Sequence, residues 1–148
     1  MSSDAPLGYV NSFRDLEVYK RQRELSRELF RLSRQFPKEE LYSLTDQLRR
    51  AVRAIGAQLA EAWAKRLYPK HFISKLTDAD GEQMETQHWI LEALDCNYLT
   101  EPDGSRAIAK CEEIGRMLGS MIRKSDSFAA TSYAVREDPI PQIDDTSF

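Results

Sequence analysis

Leucine, isoleucine and valine return every third or fourth residue through four consecutive stretches of this chain, with proline or glycine standing between the stretches. That spacing belongs to a helix with one apolar face. No stretch alternates apolar and polar residues between turn signals, as a half-buried strand does. The first stripe is Val18, Leu25, Leu29, Leu32 and Phe36, widened by Leu16, Tyr19 and Phe30. It predicts a helix over 13–36, capped by Ser12, with Asp15 in the first turn and Pro37 as the stop. The second stripe, Leu41, Leu44, Leu48, Val52, Ile55, Leu59 and Ala62, predicts a helix over 38–67. It opens on Glu39 and Glu40 and closes before Tyr68-Pro69. Gly56 inside it costs about 1 kcal/mol relative to alanine, which marks a candidate close contact between helices.

The third helix opens at Pro69 and runs over 69–97, with Phe72, Leu76, Ala79, Leu91 and Leu94 inward and Gln83 and Gln87 making its middle more polar. A Pro and Asp-Gly turn follows, and the fourth helix covers 104–124 with Ile108, Cys111, Ile114, Leu118 and Met121 buried. Four amphipathic helices on short links predict an all-α fold, an up-down-up-down antiparallel four-helix bundle over residues 13–124. A chain of 148 residues builds one such core, not two. Residues 1–12 are expected to be a flexible leader, and 125–148, with Pro139, Pro141 and five acids, a disordered acidic tail. No apolar run approaches the roughly 20 residues that span a bilayer. The first residues lack a basic patch followed by an apolar core, so the expected location is the cytoplasm.

Little in the sequence asks for catalysis. Glu85-x-x-His88 is half of a dimetal motif, but a bundle of that kind needs the motif twice plus two further glutamates. The other histidine, His71, has Tyr68 where the glutamate would stand. Cys96 and Cys111 make neither a disulfide framework nor a zinc quartet, and Cys111 falls on an apolar stripe. There is no glycine-rich phosphate loop, no Gly-x-Ser-x-Gly elbow and no His-Glu-x-x-His. We therefore expect no catalytic residues, no cofactor and no metal.

The charges are more informative. The net charge of -3 hides a basic front, +6 over residues 14–70, and two acidic parts, -4 over 71–124 and -4 over 125–148. Lys20, Arg23, Arg27, Arg31 and Arg34 recur at three or four along the first helix, and Arg49, Arg50 and Arg53 cluster on the second. Arginine meets phosphate bidentately, so such stripes suit the backbone of RNA or DNA with little reading of bases. The competing reading is that the arginines are neutralised by Glu24, Glu28 and Asp46 in the same helices, or by the acidic half of a second subunit. No interleaving of aromatics in the sequence suggests stacking on single-stranded bases.

Phe13-Arg-Asp-Leu-Glu-Val-Tyr19, Phe36-Pro-Lys-Glu-Glu40 and Leu44-Thr-Asp-Gln-Leu-Arg-Arg-Ala51 follow one another in that order. With Ile55, Ala60-Glu61, Phe72, Leu76, Glu85-Thr-Gln87 and Tyr98-Leu99, they resemble the small S23-type four-helix proteins encoded by intervening sequences in bacterial 23S ribosomal RNA genes. The resemblance spans about residues 13–124. It implies an up-down bundle that assembles as a ring-like homopentamer, with no catalytic activity. A relative in that family is the accessory protein of diversity-generating retroelements. That resemblance implies a reverse transcriptase as a partner and nucleic acid bound on a basic surface. The chain departs from the pattern in its second helix. Where the family commonly reads Ser-x-Pro-x-Asn-x-x-Glu-Gly, it has Ala54-Ile-Gly-Ala-Gln-Leu-Ala-Glu-Ala62, so a proline kink is not expected at Gly56.

Overall fold

In a computed structural model describing residues 10–135, the chain is all-helical, and no strand occurs among those residues. Five α-helices follow in order: α1 Glu17–Ser33, α2 Leu44–Ala64, α3 Pro69–Asp95, α4 Glu101–Arg123 and α5 Ser125–Val135. Helix α1 packs on α2 and α4, and α3 packs on the same two helices. The space they enclose is filled by Leu25 and Leu29 of α1, Leu48, Ile55 and Leu59 of α2, Phe72, Leu76 and Ile90 of α3, and Ile114 and Leu118 of α4, all without solvent exposure. Each such side chain contributes about 1.5–3 kcal/mol by leaving water, which is what holds helices that would be marginal alone.

The helix boundaries differ from those the stripes predict, for local reasons. Residues Phe13–Asp15 form a separate 3-10 turn. The Asp15 carboxylate accepts hydrogen bonds from the backbone N–H groups of Asn11 and Ser12, at 3.1 Å each. The chain then turns extended at Leu16, which is buried, before α1 begins at Glu17. The second helix starts at Leu44 rather than 38. Lys38–Glu40 is again a 3-10 turn, and Ser43 leaves helical geometry while its hydroxyl donates to Glu40 Oε1 at 2.7 Å. Helix α4 starts at Glu101, three residues early, because the Thr100 side chain accepts from the Asp103 N–H and Pro102 fits the first turn. Helix α3 ends at Asp95. Asn97 there takes a left-handed φ of 60°, and the Tyr98 N–H returns to the Ala93 carbonyl at 2.9 Å.

The largest departure lies after residue 124. The expected tail begins instead as α5, and Phe128 is buried against Phe72 with ring centroids 5.0 Å apart. The helical stretch is itself rich in alanine and aromatic residues, and all the acids and prolines of the predicted tail except Asp126 come after it in sequence. The rest of the predicted tail, 136–148, and residues 1–9 of the predicted leader lie outside the described residues.

Helix α1 is tied to α4 by charge as well as by packing. Glu28 accepts from Arg106 Nε at 3.1 Å and from Lys110 Nζ. Burial pushes its pKa up. The hydrogen bonds from Lys110 and Arg106, with their charges, more than offset this and hold the carboxyl below its usual range. A group with a depressed folded pKa adds stability that is present above its unfolded pKa and is lost as pH falls through the folded one. Glu28→Gln should therefore cost about 1–2 kcal/mol at neutral pH. In chemical denaturation at successive pH values, the difference from wild type should close once the pH drops below the ordinary glutamate range.

Candidate functional site

The two basic clusters of the sequence converge where α1 crosses α2. Their close approach depends on Gly56, because a Cβ there would lie 2.7 Å from Gln22 Oε1. Gln22 is buried and donates through Nε2 to the Val52 carbonyl at 2.9 Å. Its Oε1 has no hydrogen-bond partner. Beside this contact runs an open cleft of about 620 Å³ whose lining includes Arg23, Arg27 and Arg53 together with Phe13, Tyr19, Phe30, Gly56 and Ala57. Phe30 is 42% exposed although it follows the apolar stripe of α1. The guanidinium of Arg49 lies over its ring at 4.6 Å from the centroid, and that of Arg53 at 6.0 Å. Arg49 Nε also donates to Ser33 Oγ at 2.9 Å, and Ser33 donates on to the Phe30 carbonyl at 3.1 Å. Burial, then the charges of Arg53 and Arg34, lower the Arg49 pKa, so three cations share this end of the cleft.

The predicted site residues separate into four groups. Arg23, Arg27 and Arg53 meet in the cleft, with Arg34 and Arg49 at one end. Lys20 lines a shallower cleft alongside, with Arg14, Arg23, Glu24 and Arg27, and pairs with Glu17 at 3.7 Å. Arg31 is exposed and lines neither of these two. Arg50 points elsewhere. It pairs with Asp46 at 3.0 Å and lines a groove between α2 and α3, which Arg53 also lines, with Glu82 and Glu85 on its far wall. Burial, then a hydrogen bond and the charge of Glu85, raise the Glu82 pKa there, the mark of crowded negative charge.

Internal neutralisation takes some of the cations and leaves others. Glu24 goes to Arg21 rather than Arg27, and Arg21 also reaches Glu113 at 3.4 Å. Glu28 goes to α4. Among the described residues no carboxylate pairs with Arg23, Arg27, Arg31, Arg34 or Arg53. The part that sequence reading missed is the aromatic one. Phe13, Tyr19 and Phe30 are not interleaved with arginine in a motif, yet the crossing of α1 and α2 brings them to the same cleft. The one sequence signal was Phe30 itself, set between Leu29 and Arg31 at the edge of its stripe.

The residues considered for metal or redox chemistry are otherwise engaged. Glu85 accepts from Trp89 Nε1 at 3.4 Å, and the His88 ring meets Trp89 at 4.7 Å with Glu92 3.9 Å away. Cys96 is exposed, while Cys111 is buried, its thiol pKa pushed up to about 12 by burial and the charge of Glu112.

Fold and site together define a small helical-bundle protein with a cationic, aromatic-floored cleft on one face. It belongs to the 23S rRNA-intervening sequence protein family, whose sequence model matches residues 14–120. It is similar to a crystal structure from Bacteroides thetaiotaomicron VPI-5482 at 1.70 Å resolution, described as a protein with unknown function from the S23 ribosomal protein family. The two share 25% identity and a TM-score of 0.65, over 72% of this chain and 95% of the other. No curated protein matches the chain. Among the described residues no helix is long and apolar enough to cross a membrane, and no group of three or more potential ligands could hold a metal ion.

Proposed function

We propose that this protein is a non-enzymatic, cytoplasmic nucleic-acid-binding or accessory protein that uses the face formed by α1 and α2. One observation carries the reading: Arg23, Arg27 and Arg53 meet at one cleft without a carboxylate partner among the described residues. Exposed arginines gathered without counter-charges offer a polyanion direct phosphate contacts, and binding there releases the polyanion's own counterions. The helix-packing pairs α1–α2, α2–α3, α3–α4 and α4–α1 suit an up-down antiparallel course for the first four helices. In this reading the chain acts as an oligomer, a homopentamer by family resemblance, with a reverse transcriptase as one candidate partner. The test is direct. The purified protein is titrated into labelled RNA and DNA at low salt, and then at rising salt. Binding that weakens steeply with salt is expected, and no measurable binding to either would end the proposal.

A second reading, a protein-interaction scaffold, is favoured by the exposed apolar residues. Met84 and Leu91 stand two turns apart on one face of α3, 58% and 51% exposed, and Leu41 and Tyr42 are exposed before α2. These are surfaces for another protein or another copy rather than for phosphate. If the scaffold reading holds instead, exchanging the arginines should dissolve the oligomer seen by mass measurement.

A further inference from the structure

We propose that the α1–α2 cleft takes unpaired nucleotides, so that the polyanion on this face is a single strand of RNA or DNA and not a duplex; this rests on the nucleic-acid reading above. The rim and the floor of the cleft differ in chemistry. The rim carries Arg23, Arg27 and Arg53, which suits phosphates of either form. The floor is aromatic, with Phe30 exposed to 42% and the small Ala57 in the same lining, while the space beside Gly56 is taken by Gln22. A duplex keeps its base faces stacked inside and offers phosphates and groove edges, so it would touch the rim and leave this floor in water. An unpaired base has a free π-face to lay on a ring, and the arginines around it can follow the backbone.

Two observations support a base as the occupant. The cleft, about 620 Å³, is of the size that encloses small ligands. The Phe30 ring already lies within cation–π reach of two guanidinium groups, Arg49 at 4.6 Å and Arg53 at 6.0 Å from its centroid, so a base laid on its exposed part would sit among cations.

The experiment compares three labelled probes of about 20 nucleotides by fluorescence anisotropy at low salt: a single strand, the same sequence as a duplex, and an abasic single strand with the same phosphates. The single strand is tested as RNA and as DNA. Wild type should bind the single strand about ten-fold more tightly than either other probe, the equivalent of one base stacked on one ring. Phe30→Ala should lose that ten-fold on the single strand and leave the abasic strand and the duplex unchanged, and Phe30→Trp should keep it. A duplex or abasic strand bound by wild type as tightly as the single strand overturns the proposal while leaving the basic-face reading intact. Failure to bind any probe overturns both. If Phe30→Ala weakens all three alike through loss of fold, the wild-type comparison of based and abasic strands decides.

Discussion

Replacing Arg23, Arg27 and Arg53 together by glutamine is expected to weaken nucleic-acid binding by roughly 10²–10³-fold at low salt and to flatten its salt dependence. Each phosphate contact adds about 0.7–0.9 to the slope of log affinity against log salt, so three lost contacts should reduce it by about 2–3. The flattened slope separates lost charge contacts from a general loss of binding. These three are suitable targets because their side chains are exposed and pair with no acid among the described residues, so the substitutions should shift stability by no more than about 0.5 kcal/mol. Arg49 is a poor target for the same purpose. Its hydrogen bond to Ser33 and its contact with Phe30 make it part of the α1–α2 packing. Arg50→Gln serves as the control. It is absent from the lining of the cleft and is paired with Asp46, and its loss should change affinity far less than the triple exchange.

Phe72→Ala is expected to remove about 3–5 kcal/mol of stability, a large share of the roughly 5–15 kcal/mol a domain of this size has. Phe72 is fully buried and packs in the core cluster while its ring also meets Phe128. Its loss takes away transfer energy, leaves a cavity and strands the partner ring. Phe128→Ala should cost less alone. The double variant should cost less than the sum, because the two rings share one contact. Urea or guanidinium unfolding of all four proteins measures the cycle. A purely additive result would mean that α5 is not held through this ring pair.

The stripes carried most of the bundle because apolar spacing records which side of a helix meets its neighbours. Leu25, Leu29, Leu48, Ile55, Leu59, Leu76, Ile114 and Leu118 were all legible in that way, and all are buried. The helix starts were not, because they depend on single side chains that bend the backbone, such as Ser43 on Glu40. Helix α5 was hidden because the acids and prolines after it dominate the composition of 125–148, and a single anchor, Phe128, has no period. The site was half legible. Arg23, Arg27 and Arg34 lie on one face by their spacing alone. Which of Arg49, Arg50 and Arg53 joins them is decided by the rotation of α2. Neighbours in sequence point about 100° apart on a helix. Arg49 therefore turns toward α1 and Phe30 and Arg50 toward Asp46 and the acidic wall of α3, while Arg53, one turn on from Arg49, lines both the cleft and the acidic groove.

The bridge from Glu28 to Arg106 and Lys110 has an effect beyond stability. It draws an acid of α1 away from the cleft and toward α4, and it spends two of α4's cations on the same side. What remains is a molecule with a charge moment: cations forward on α1 and α2, acids behind on α3 and α4. A polyanion approaching such a body feels a torque before it feels contact, and the arginine face is turned toward it. The total charge of -3 does not prevent this, because the nearer pole dominates within a screening length of about 8 Å at physiological ionic strength. Encounter should thus be orientationally selective, with salt acting first on how often the correct face arrives.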